Sequence, residues 1–219
     1  MKHFLKIDGK SVHLRQGDMD GACTVYSLMM GLISIGAIKR DDVENVDKKY
    51  GRTSKGRLIH EFLKKVPEPG NKYQETVLLS SGYTLSDIQE KLRKSFNRVV
   101  DTDYRSSLEE KDDEQYLNKH ELEEFIAGEI YEDRPVEICY NYRGRSAFGH
   151  AVLVVGYEED GNGTLIRFFC LDPGEEKPKG NKKYNAVIDL YHNGKRIQYC
   201  IAKDEHPVLI HSAMSIYER

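Results

Sequence analysis

An α+β fold, helices first and a mostly antiparallel sheet second, is what this chain predicts, and three observations predict it. Up to Tyr131 the apolar residues recur at the 3.6-residue period of a helix. After Arg134 the period shortens to two, the period of a half-buried strand. Asp-Gly, Asn-Gly and proline clusters then separate short apolar runs at hairpin spacing, which favours an antiparallel sheet.

The elements follow in order. "HFLKI" and "SVHLR" flank "DGK", and Asp-Gly is a favoured tight-turn pair, so residues 3–14 read as a hairpin. A glycine-bearing loop, "QGDMDGA", comes next. Val25, Leu28, Met29, Leu32 and Ile33 then keep helical spacing, with Tyr26, Met30 and Ile35 widening the apolar surface until the helix is buried on most sides. Asp20 or Gly21 would cap its start and Gly36 would stop it. "RDDVENVDKKYG" opens with acids and closes with lysines, as a helix dipole favours, and Gly51 would end it. "GRLIHEFLKKVPEPG", "TLSDIQEKLRKSF" (with Ser86 as its cap) and "HELEEFIAGEIY" each carry one apolar stripe.

Strands follow. "PVEICYNY" alternates apolar and polar residues. "HAVLVVGY" is continuously apolar, as a strand buried on both faces is. "EEDGNG" turns the chain, and "TLIRFFCLDP" returns until Pro173 stops it. "NAVIDLY" and "KRIQYCIA" flank "HNG", and "HPVLIHSAMSI" is the last strand. The expected organisation is one domain over 1–219: a helical lobe over about 17–133 and a β lobe over about 134–219, joined by the hairpin at 3–14. A cleft would lie between the lobes.

Composition narrows the function classes. At 219 residues, 39% hydrophobic and 32% charged, the chain is long enough to bury a sizeable core. A net charge of −3 predicts neither nucleic-acid nor membrane-surface binding. The acidic run "LEEKDDEQYLNKHELEE" reads as a solvated helix face. The first residues carry no apolar signal-peptide segment, so the expected location is the cytoplasm, with signal-less secretion as an effector the alternative. Cys23, Cys139, Cys170 and Cys200 form no Cys-x-x-Cys pair, so free thiols are expected and neither metal nor cofactor is.

One constellation carries chemistry. Cys23 opens the most apolar helix, where exposed N–H groups and the helix dipole favour a thiolate; a neighbouring imidazolium would favour it further. Among the eight histidines, His150 opens the most buried strand, at a strand end where a cleft would be. His3 and His13 fall in the expected hairpin, and the others have ordinary surface settings. A catalytic imidazole needs an acceptor on its other nitrogen. Counting along "HAVLVVGY" and "TLIRFFCLDP" returns Asp172 to the level of His150 within about a residue, with Asp189 the next acid to consider. A tetrahedral oxyanion needs two donors. The Cys23 N–H and the Gln16 side-chain amide are the candidates.

The order Gln16, Cys23, His150, Asp172, carried by "QGDMDGAC", "GHAVLVVGY" and "CLDPG", resembles the papain-like cysteine peptidase superfamily. The local text is most similar to its bacterial branch, which includes the double-glycine leader peptidase domains of bacteriocin exporters. The resemblance implies a papain-like fold and a thiol peptidase or amidase acting on a peptide or protein. Cys23 would be nucleophile, His150 base and acid, Asp172 orienter, and Gln16 part of the oxyanion hole. It spans the Gln16–Gly36 and His150–Gly174 segments, while 39–134 matches no known pattern. Gln16 and Cys23 are seven residues apart, one more than is usual in papain, and Thr24 follows the cysteine where glycine is typical. No transporter domain accompanies the segment, so a leader-peptide substrate is not implied. The same residue order serves thiol acyltransferases, transglutaminases and glutamine deamidases, and a non-catalytic binding module on the same scaffold is the reading from another class. A regulatory partner is not identifiable from the sequence.

Overall fold

The computed structural model describes residues 1–16, 23–45, 52–65, 85–108, 115–142, 149–192, 195–201 and 204–219. Among them the helices are α1 (Gly9–Val12), α2 (Cys23–Ser34), α3 (Arg40–Glu44), α4 (Ser54–Lys65), α5 (Leu85–Phe96) and α6 (Lys119–Tyr131). The strands are β1 (Lys2–Phe4), β2 (Val100–Ser106), β3 (Val136–Tyr142), β4 (Gly149–Glu159), β5 (Leu165–Leu171), β6 (Ala186–His192), β7 (Lys195–Ile201) and β8 (Asp204–Glu218). The α+β reading and the antiparallel sheet hold.

Every pairing between these strands is antiparallel. β4 bonds to β3 on one edge and to β5 on the other, and β5, β6, β7 and β8 continue round to β3, so six strands close into a ring. Closure leaves no free edge among these six. β1 adds to β4, and β2 adds to β8.

Helix α2 lies against β3 and β4, and Leu153 and Ile216 reach it at Gly31. Its Thr24, Val25 and Ser27 through Leu32 are buried, as its all-round apolar pattern requires. Gly36, at a φ of 76°, follows the helix in the left-handed conformation that ends it. The single stripes of α4 and α5 turn Ile59, Phe62, Leu85, Ile88, Leu92 and Phe96 inward. Asn118 caps α6, accepting from the His120 and Glu121 N–H groups while Glu121 accepts from Asn118.

Three expectations fail. Residues 3–14 are not a hairpin. The Asp8 side chain accepts the Lys10 N–H and caps α1, and β1 pairs with β4 instead, His3 opposite Tyr157. The Asp-Gly signal therefore marks a helix start; a distant strand edge outcompetes the local pairing. Second, the stretch expected to form a helical lobe, about 17–133, also contains a strand, β2, whose "VDTDYRS" alternates buried and half-buried residues against β8. Third, α5 begins at Leu85, which puts its expected cap Ser86 inside the first turn. The helix expected to end at Gly51 is seen from Arg40 to Glu44, and Gly51 and the Asp20 and Gly21 caps lie outside the described residues.

β1 can dock only because Gly156 has no side chain. A Cβ there would sit 2.6 Å from the His3 carbonyl oxygen and 2.5 Å from Phe4 Cδ1. Gly156→Ala is therefore expected to destabilise the fold by about 1–3 kcal/mol. Thermal unfolding checks the loss, and faster proteolysis within residues 1–7 checks that β1 is what lets go.

Candidate active site

β4 supplies the histidine. His150 is the second residue of β4, opposite Tyr140 of β3, whose ring meets the imidazole edge-on at 5.8 Å between centroids. β5 returns alongside, but not in the simple register that counting suggests. Bulges between Glu158 and Glu159 and between Val154 and Gly156 leave Leu171 opposite Leu153. Asp172 is then level with Val152, two residues from His150 and on the same face. Such diagonal neighbours are within side-chain reach. The result is the expected contact, His150 Nε2 to Asp172 Oδ1 at 2.8 Å.

The thiol arrives from the other side of β4. Ser27, one helical turn beyond Cys23, donates its hydroxyl to the Ala151 carbonyl at 3.1 Å and so ties the start of α2 to the residue beside His150. The Cys23 thiol lies beside the His150 imidazole, near enough for each to shift the other's ionisation. Because Nε2 faces Asp172, the nitrogen left for sulfur is Nδ1. Cys23 is half-buried, whereas Cys139 and Cys170 are buried; all three are free thiols. The side chain of Cys200 lies outside the described residues.

The electrostatics of the three groups agree. Burial is the largest influence on Cys23 and opposes its ionisation. The hydrogen bond and charge of His150, with further hydrogen bonds from Ala151 and Thr24, together outweigh it and lower the thiol below its ordinary value. Burial likewise opposes charge on His150, but the Asp172 carboxylate and then Cys23 outweigh it and hold the imidazole well above its ordinary value. Both directions favour a thiolate beside an imidazolium, with the Asp172 carboxylate behind the ring. Burial pushes the Cys139 and Cys170 thiols well up, and they stay protonated.

Gln16 is reached through its main chain. Its N–H donates to the Pro173 carbonyl at 2.9 Å, next to Asp172, and its side-chain Oε1 is buried with no hydrogen-bond partner among the described residues. Residues 17–22, which join it to Cys23, lie outside the described residues. The structure thus joins Cys23, His150 and Asp172 side chain to side chain and brings Gln16 to the same turn by its backbone. Asp189 goes elsewhere, pairing with Arg167 at 2.9 Å near the opposite end of β5. Among the described residues, no three His, Cys, Asp or Glu side chains are grouped to hold a metal ion. Among them, too, no helix is long and apolar enough to cross a membrane.

Several neighbours were not anticipated. The Gly174 N–H donates to Asp172 Oδ1 at 2.6 Å, so that oxygen accepts from both the ring and the backbone. His13 and Asn185 bond the Asp172 main chain. Glu137 is 0% exposed and neither carboxyl oxygen has a hydrogen-bond partner among the described residues. It faces α2, in register with Leu153. Burial, with a smaller contribution from Cys23, pushes its carboxyl well above the usual range. A neutral Glu137 places no charge against the thiolate. In the sequence Glu137 sits in the polar register of "PVEICYNY" with Asn141, so its burial gives no local signal.

No family model matches the chain, and no curated protein matches it as a relative. Among solved structures it is similar to the crystal structure of a "putative C39-like peptidase" from Bacillus anthracis. The two are 13% identical, the match covers 100% of this chain and 98% of that one, and the TM-score is 0.45.

Glu137 also sets a pH dependence. Its folded-state pKa is raised, so its contribution is intact below the unfolded carboxyl's value, about 4.3, and stability falls as pH climbs from there towards the folded value. Glu137→Gln removes that loss. The melting temperature of the variant relative to wild type is expected to be near zero at about pH 4 and to rise steadily towards neutrality. A difference that stays flat with pH would show that Glu137 is already ionised in the fold.

Proposed function

We propose that the chain is a thiol hydrolase, a cysteine peptidase or amidase, with Cys23 as nucleophile, His150 as general base and acid, Asp172 as orienter and Gln16 as an oxyanion donor. One observation carries the reading: a thiol at the start of a helix lies beside a half-buried imidazole whose Nε2 is hydrogen-bonded at 2.8 Å to a carboxylate that is 2% exposed. A merely structural cysteine has no need of a charged imidazole, and a merely structural histidine has no need of two opposite partners.

The steps follow from the geometry. The Cys23 proton rests on His150 Nδ1, and Sγ attacks the carbonyl carbon of the substrate amide. The carbonyl oxygen becomes an oxyanion, stabilised by the Cys23 N–H at the start of α2 and by the Gln16 amide. Collapse breaks the C–N bond, and Nδ1–H protonates the departing nitrogen. A thioester remains on Sγ. Water, deprotonated by His150, attacks it and releases the acid and the thiol. Asp172 stays ionised throughout; it fixes the Nε2–H tautomer and stabilises the imidazolium.

The test pairs stability with capture. Wild type is expected to be labelled by an epoxide or acyl thiol probe at Cys23 and to cleave a set of fluorogenic peptide amides. Cys23→Ala is expected to unfold at nearly the same temperature and to have lost both properties. A destabilised Cys23→Ala that still turns over substrate would sink the reading and return Cys23 to the core.

Two further substitutions separate the supporting roles. Asp172→Ala is expected to cost more activity than Asp172→Asn, because an amide oxygen still accepts from Nε2. Gln16→Ala is expected to lower kcat by about 10²–10³ with little change in KM, since the donor acts on the transition state. A loss confined to KM would remove Gln16 from the oxyanion hole.

A further inference from the structure

The turn after β5 is held by more than its carboxylate. The Asp172 N–H donates to Asn185 Oδ1 at 2.7 Å, and its C=O accepts from Asn185 Nδ2 at 2.9 Å. Asn185 Nδ2 also donates to the Glu176 carbonyl at 3.0 Å, spanning the turn. The same Asp172 carbonyl accepts from His13 Nε2 at 2.9 Å. A carbonyl only accepts, so this nitrogen carries the hydrogen. His13 is 2% exposed, and Arg40 Nη1 grips its own carbonyl at 2.5 Å. Three residues along from His13, the Gln16 N–H donates to the Pro173 carbonyl. The segment 13–16 is thus fastened at both ends to the turn that carries the orienting acid.

We infer that His13 and Asn185 are positioning residues of the site: by holding the Asp172 main chain they set where its carboxylate meets His150 and, through Pro173, where Gln16 sits. This rests on the thiol-hydrolase reading above. Asp172 offers one oxygen to both His150 and the Gly174 N–H, so a turn that drifts weakens the bond to the ring at once. The imidazolium then loses its counter-charge, and the thiolate its partner. The charged groups facing His13 are Arg40 from α3 and Asp172 and Glu176 from the turn; those facing His150 are Asp172, Glu175 and Cys23. Burial, aided by Arg40, lowers His13 below its ordinary value and keeps it a neutral donor.

The pH dependence of Cys23 alkylation by iodoacetamide tests this without a substrate. Full-length wild type, Asn185→Ala, His13→Phe and His13→Gln are compared, each with its melting temperature. Wild type is expected to react from well below the ordinary thiol range. Asn185→Ala and His13→Phe are expected to shift that onset up by about one pH unit, which is about tenfold slower labelling on the rising limb. Phe fills the space of the imidazole but cannot donate. His13→Gln, whose amide can donate into the same carbonyl, is expected to keep the wild-type onset. An unmoved onset in folded Asn185→Ala and His13→Phe overturns the inference, as does an equal shift in His13→Gln and His13→Phe, which would mark a packing effect. If Asn185→Ala does not fold, the two His13 variants decide; if none folds, the residues are structural and the inference falls. An ordinary thiol onset in the wild type itself overturns the hydrolase reading, and this one with it, before any variant is compared.

Discussion

The arrangement depends on β4 being bonded along both edges while α2 lies across it. β3 takes one edge and β5 the other, so β4 has nowhere to slide. A one-residue slip would exchange its two faces, and because Ala151 through Val155 are all fully buried it would disrupt the packing on both. His150 is simply where this strand emerges from the core. Its ring is placed by the register of residues that have no chemistry of their own.

Each partner of His150 arrives through a different feature of the same strand. β5 brings Asp172 by way of two bulges, which trade the direct opposition expected from counting for a diagonal one. α2 brings Cys23 by burying most of its circumference, with Ser27 bonded to Ala151 as the fine adjustment. An apolar helix can rotate or slide on an apolar sheet at modest cost. One buried hydroxyl bonded to a carbonyl beside His150 removes that freedom, because breaking it strands a polar group.

Low dielectric acts oppositely on two acids in this core. Asp172 is surrounded by donors: a ring N–H and the Gly174 N–H on its carboxylate. Glu137 has neither, and a carboxyl in that position does better neutral. The contrast matters for the thiol. A negative charge two strands from Asp172 and beneath Cys23 would disfavour a thiolate, whereas a protonated Glu137 leaves His150 as the dominant charge that sulfur senses.

The sequence by itself determined the helix stripes, the change of period at Arg134, the succession of strands after it, and the three residue types that meet at the candidate site. These are local properties: spacing sets which face of an element is apolar, and a thiol at a helix start or an acid before proline is visible in a few letters. Only the tertiary structure decided what lies next to what. "HFLKIDGKSVHLR" carries a sound hairpin signal, yet β1 pairs with β4, because the edge of a buried strand offers more than a two-stranded ribbon can. "VDTDYRS" alternates too weakly to announce β2 until β8 is there to receive it. His13 and Asn185 gave no signal at all. Each is an ordinary polar residue in its own neighbourhood, and each acquires its place only when segments 159 and 13 residues from Asp172 are folded onto its backbone. Hydrogen bonds between such distant positions leave no periodicity to read, since what selects them is a carbonyl or N–H that folding would otherwise bury unpaired.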